Sequence, residues 1–118
     1  GIAESFWVVT GTTKSGRFSK DLELAAQSRA TVVVLMGMHR LDEIIEVFKM
    51  HRNEDTPVAI IQNGSLPGEQ LGVGTVATIS EIASREGLGS PAIIVIGEIV
   101  RYTRKKDFAS ILRKEIVI

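Results

Sequence analysis

The segment Thr31-Val32-Val33-Val34-Leu35-Met36 constrains the fold more than any other part of the chain. It is apolar and rich in β-branched residues, no polar residue alternates into it, and Gly37 closes it. A strand with one face in water alternates apolar and polar positions, whereas an unbroken run means a strand covered on both faces. Pro57–Gln62 and Ala92–Ile96 have the same character, and Gly97 closes the second of them. Several strands of this kind need apolar layers on both sides of a sheet. At 118 residues and 44% hydrophobic content, the chain has the material for one such core.

The intervening segments read as the covering helices. Leu41, Ile44, Ile45 and Phe48 fall at the i, i+3, i+4, i+7 spacing of one helix face, with Asp42 and Glu43 in the first turn where the helix dipole favours negative charge. Lys20–Ser28 reads as a short helix capped by Ser19. Val76, Ile79, Ile82 and Ala83 form another helical stripe, with Gly87 as its stop. Phe6–Thr10 reads as a strand ending at Gly11, and Gln70–Thr75, thinned by Gly72 and Gly74, as a strand near an edge. The connection from Gln62 to Gln70 is too short for a helical crossover, so these two strands pair antiparallel. The predicted class is α/β: a three-layer-like mixed β-sheet flanked by helices, in one domain without repeats. Phe108, Ile111 and Leu112 suggest a last short helix.

Composition excludes several functions. Fourteen Lys and Arg cancel fourteen Asp and Glu, which argues against a nucleic-acid binder. There is no cysteine, and His39 and His51 cannot build a metal site alone. No apolar run approaches the length of a membrane helix, and no signal segment opens the chain. A cytoplasmic protein is expected. Gly1 leads almost at once into Phe6-Trp7-Val8-Val9, which reads as a piece of a longer protein.

Gly11, Gly37, Gly64 and Gly97 each follow a strand closely. In an open α/β sheet, ligands gather beyond the carboxyl ends of the strands, although plain turn geometry accounts for most such glycines. Met36 can present a thioether to a flat apolar ligand or simply pack in the core. Asn63-Gly64 can offer backbone amides to a base edge or merely turn the chain. Lys14 and Arg17 lie in a glycine-containing loop that does not fit an ATP-type phosphate loop, and Gly72-Val73-Gly74 lacks the third glycine of a dinucleotide fingerprint. His39 lies where an acid or base would be useful, and His51 at a helix end. Arg101, Arg104, Lys105 and Lys106 read as a solvated cluster. No self-contained catalytic set emerges.

The order of these pieces carries more than any one of them. Val8-Val9-Thr10-Gly11-Thr12, Thr31 through Met38, Thr56 through Ser65, Gly74-Thr75-Val76, and Ser90-Pro91-Ala92 through Val100 follow one another in a succession that resembles the C-terminal half of uroporphyrinogen-III C-methyltransferases, of the tetrapyrrole methylase family. The similarity spans roughly residues 2–102. It rests on Leu-Met-Gly, Gln-Asn-Gly and Ser-Pro-Ala at the family's order and spacing. Thr12 departs from the pattern, because histidine is frequent there, so no role of that histidine is carried over.

The resemblance implies an enzyme of two α/β domains with S-adenosylmethionine in the cleft between them, methylating uroporphyrinogen III to precorrin-2 for siroheme or cobalamin. It implies cofactor contacts at Met36 and Gly64, with Pro91 or Ala92 as a third, and no metal. The catalytic Gly-Pro-Gly and Gly-Gly-Asp motifs of the first domain are not in this sequence, so no catalytic residue is assigned and this half is expected to be inactive alone. Residues 1–102 are expected to form the cofactor-side domain, and residues 103–118 a tail or linker. A homodimer is implied. Two alternatives stand beside this: another tetrapyrrole methylase of cobalamin synthesis, or a non-catalytic binding or assembly module with the same fold.

Overall fold

The computed structural model describes residues 6–11, 20–63 and 68–102. Five strands form where the sequence places them: β1 (Phe6–Thr10), β2 (Thr31–Leu35), β3 (Pro57–Gln62), β4 (Gln70–Thr75) and β5 (Ala92–Ile96). Helices α1 (Lys20–Gln27), α2 (Leu41–His51), α3 (Ile79–Glu86) and α4 (Ile99–Tyr102) connect or follow them, and a 3-10 turn over Met38–Arg40 leads into α2.

The strands form one mixed sheet in the order β1-β2-β5-β3-β4. β1 and β2 are parallel, while β5 runs antiparallel to both of its neighbours, and β4 antiparallel to β3. Strands β1, β2 and β3 therefore point the same way, and their carboxyl ends share one rim with the starts of β4 and β5.

The unbroken apolar runs are explained by what covers each face. Ile94 of β5 lies between Val34 of β2 and Ile60 of β3, and all three join the core formed with α1, α2 and α3. One residue on, Val95 lies between Val33 and Ala59 and faces the other way, into a second cluster that includes Val100 of α4. Side chains alternate across a strand, so a central strand sandwiched in this manner has no position left for a polar residue. Among the described residues, Thr31 is the one buried polar side chain.

Arg52, just past α2, fastens α2 to α1. Its Nε donates to the Ala26 carbonyl at 3.1 Å, and its Nη2 to the carbonyls of Ala25 and Ala30, both at 2.9 Å. These include carbonyls that the end of α1 leaves without a helical partner. The guanidinium also lies 5.3 Å from the centre of the Phe48 ring. Burial lowers its pKa from the ordinary arginine value. Arg52→Ala is expected to cost about 2–4 kcal/mol, because the carbonyls of Ala25, Ala26 and Ala30 each lose a charged donor at once; urea unfolding measures this. Arg52→Lys should recover only part, since one ammonium cannot span the same fork of acceptors.

The structure corrects several boundaries. β2 stops at Leu35, not Met36, because Met36 turns to a φ of 55°. Val76 is buried but precedes α3; its N–H goes to the Thr56 carbonyl at 2.9 Å and prolongs the β3–β4 pairing. α1 ends at Gln27, where the Ser28 hydroxyl donates to the Ala25 carbonyl at 2.7 Å. The sequence reading carried no helix after Gly97; α4 forms because Val100 has a buried apolar place on the second face. Ser19, Lys14, Arg17, Thr12, Gly64, the cluster beyond Arg101 and the expected helix near Phe108 lie outside the described residues. Among the described residues, no helix is long and apolar enough to cross a membrane.

Candidate functional site

Two residues of unusual backbone stand at the rim formed by the carboxyl ends of β1, β2 and β3. Two non-glycine residues among those described have positive φ: Met36, one residue past β2, and Asn63, one residue past β3, both at 55°. Asparagine adopts this conformation with little penalty, whereas for methionine it costs on the order of 1–2 kcal/mol. The strained residue is also 66% exposed, so no core packing explains its placement.

Between them stands the start of β5. Gln62 lies opposite Ala92, and the β2–β5 pairing ends with Val34 opposite Ile94, so Met36 comes just beyond it at the same end of the sheet. β5 thus separates the ends of β2 and β3 at this rim by two strand spacings, about 9–10 Å. Two hydrogen bonds hold this arrangement from the β3 side. The Asn63 N–H donates to the Pro91 carbonyl at 3.0 Å, and the Gly89 N–H donates to the Gln62 side-chain oxygen at 2.8 Å. Gln62→Leu is expected to cost about 1–2 kcal/mol through the lost acceptor, and Gln62→Glu, which keeps an oxygen there, appreciably less; thermal unfolding distinguishes them.

The β2 side is held by a close backbone approach. The Gly11 N–H donates to the Leu35 carbonyl at 2.7 Å. A Cβ on Gly11 would lie 2.8 Å from the Gly37 Cα, so Gly11 cannot carry a side chain without moving the backbone after β2; one on Gly37 would instead meet the Ile44 side chain at 2.7 Å.

Of the three residues proposed from sequence as cofactor contacts, Met36 and Ala92 are brought to one rim, and Gly64 lies outside the described residues. His39 sits in the 3-10 turn beside this rim. With Arg40, Glu43, Ser80 and Ser84 it lines a cavity of about 310 Å³ between the start of α2 and α3. Arg40 forms a two-pronged ion pair with Glu43, Nε to Oε1 at 3.2 Å and Nη2 to Oε2 at 2.5 Å, and holds that carboxyl below the ordinary glutamate value. His51 is remote from the rim: it ends α2, and its Nε2 lies 3.3 Å from Glu23 Oε1 of α1. Among the described residues, no group of three or more His, Asp or Glu could hold a metal ion. Sequence reasoning missed the Gln62 fastening and the Gly11–Gly37 contact. The adjacency of Gln62 to Asn63-Gly64 was the available signal for the first; the second joins residues far apart in the chain and left none.

The family model described as Tetrapyrrole (Corrin/Porphyrin) Methylases matches residues 3–80. The chain belongs to the tetrapyrrole methylase family. Its relatives include a siroheme synthase of Thiobacillus denitrificans, 36% identical over 87% of this chain but only 22% of that protein. A uroporphyrinogen-III C-methyltransferase of Methanocaldococcus jannaschii is 35% identical over 84% of this chain and 42% of its own length. Among solved structures of tetrapyrrole methylases, the uroporphyrin-III C-methyltransferase of Thermus thermophilus, complexed with S-adenosylhomocysteine, is similar at a TM-score of 0.75 and 28% identity, over 87% of this chain and 46% of that one. A cobalt precorrin-4 methyltransferase shares the fold at a TM-score of 0.73 and 17% identity. The chain therefore spans less than half the length of each of these methylases.

Proposed function

We propose that this chain is the cofactor-side half of an S-adenosylmethionine-dependent uroporphyrinogen-III C-methyltransferase, which as a whole makes precorrin-2 for siroheme or cobalamin synthesis. The observation that carries it is the pair of left-handed residues, Met36 and Asn63, flanking the start of β5 at the rim where α/β sheets take their ligands. The similarity to the Thermus thermophilus enzyme supports it, since that protein is complexed with S-adenosylhomocysteine and this chain covers 46% of it.

The residues at the rim fit such a cofactor. Met36 presents an exposed, polarisable thioether to a flat ring. Ala92 is small enough to leave the space between the two turns open. Gly64, next to Asn63 in the chain, is assigned as a cofactor contact by the family resemblance, since a missing side chain lets backbone approach a ligand. S-adenosylmethionine supplies an already electrophilic methyl group, so the protein's task is alignment and exclusion of water. Met36 and the Asn63 turn form one wall and orient the nucleoside; the opposite wall belongs to the first domain. Residues 1–102 then form this domain and residues 103–118 a tail or linker. The whole protein is assigned to the cytoplasm as a homodimer, without membrane or nucleic-acid partners.

Two measurements test this together. Calorimetric titration of S-adenosylhomocysteine is expected to show binding to the intact protein. Methyl transfer from S-adenosylmethionine to uroporphyrinogen III is expected from the intact protein and not from residues 1–118 alone. Turnover by the 118-residue chain would refute a divided site, and an intact protein that binds cofactor but methylates only a later corrinoid would replace the substrate.

A further inference from the structure

Three methionines are distributed over this chain in three different settings. Met36 is 66% exposed at the rim, and Met50 is 74% exposed on α2. Met50 immediately precedes His51, which lines the cavity at the opposite rim. Met38 is half-buried and packs against the main core. Thioether oxidation by peroxides depends mainly on access to sulfur, so two of the three are open to it, and only one of those stands at the proposed cofactor wall.

We propose that Met36 is an oxidation site through which peroxide controls cofactor binding, an inference that rests on the function proposed above. A hydroperoxide transfers one oxygen atom to the Met36 sulfur. The thioether is oxidised to the sulfoxide, and the peroxide is reduced to water or the corresponding alcohol. The apolar, polarisable surface offered to the nucleoside becomes a polar S=O group that must be desolvated on binding. Met36 lies beyond the end of β2 and outside the core clusters, so the added oxygen enters no packed core position. The lesion is therefore read out as lost affinity and not as unfolding. A thiol-dependent methionine sulfoxide reductase removes the oxygen again. Bound cofactor covers Met36 and leaves Met50 open, so occupancy protects one methionine selectively.

The test uses the intact natural protein, dilute hydrogen peroxide, and S-adenosylhomocysteine as the titrant. Peptide mass analysis follows Met36 and Met50 separately. The expected results are comparable oxidation of both without ligand, protection of Met36 alone with ligand, and about tenfold or greater weakening of binding after oxidation. Reductase treatment restores the affinity. The Met36→Leu variant, whatever its starting affinity, shows no further loss on peroxide treatment. Full conversion of Met36 with unchanged affinity would overturn the inference, as would oxidation of Met50 with Met36 left untouched. An untreated protein that does not bind S-adenosylhomocysteine would overturn the cofactor reading itself and this inference with it, and is thereby distinguishable from the other two failures.

Discussion

Met36→Asn is expected to weaken S-adenosylhomocysteine binding by about tenfold to a hundredfold, the equivalent of losing about 1.5–3 kcal/mol of apolar contact. The replacement is chosen for its backbone. Met36 has a φ of 55°, and asparagine is among the few residues that adopt this conformation readily. The turn after β2 is therefore kept while the thioether is removed. Stability is expected to stay level or rise by up to about 1 kcal/mol, because the strain carried by methionine is relieved. Falling affinity at constant or rising stability is the signature of a residue retained for a ligand. A variant that lost both together would show that Met36 serves the fold.

Phe48→Ala produces the opposite pattern. Phe48 is fully buried in α2, within the cluster joining α1, α2 and one face of the sheet. Its removal leaves a cavity that the surrounding β-branched side chains fill poorly, at an expected cost of about 3–5 kcal/mol. The Arg52 guanidinium, 5.3 Å from the ring centre, loses its apolar platform as well. Urea unfolding should show a much lower midpoint with an unchanged slope. A loss below about 1 kcal/mol would mean that α2 is packed less tightly than described.

Much of the fold was legible because burial on both faces writes an unmistakable pattern. Val32 through Leu35, Val58 through Ile61 and Ile93 through Ile96 carry no polar residue, and all three became interior strands. The edge position of β4 was legible from Gly72 and Gly74. The reason for those glycines was not: side chains there would collide with Leu88 and with Ile82 and Thr78, so the bare strand seats α3. α4 escaped the sequence reading because four residues are too few to show a helical period. The site was only partly readable. Met36 and Asn63 are 27 positions apart, and their proximity depends on β5 inserting between β2 and β3, an ordering that local patterns do not encode. The left-handed turn of Met36 was equally hidden, since methionine at positive φ runs against its own preference.

The most direct measurement is a crystal structure of the intact protein with S-adenosylhomocysteine. The adenosyl group is expected in van der Waals contact with Met36 and Ala92 and close to Asn63. Density for the ligand at the opposite rim, beside Arg52 and Gly97, with Met36 still facing solvent, would contradict the assignment of the site.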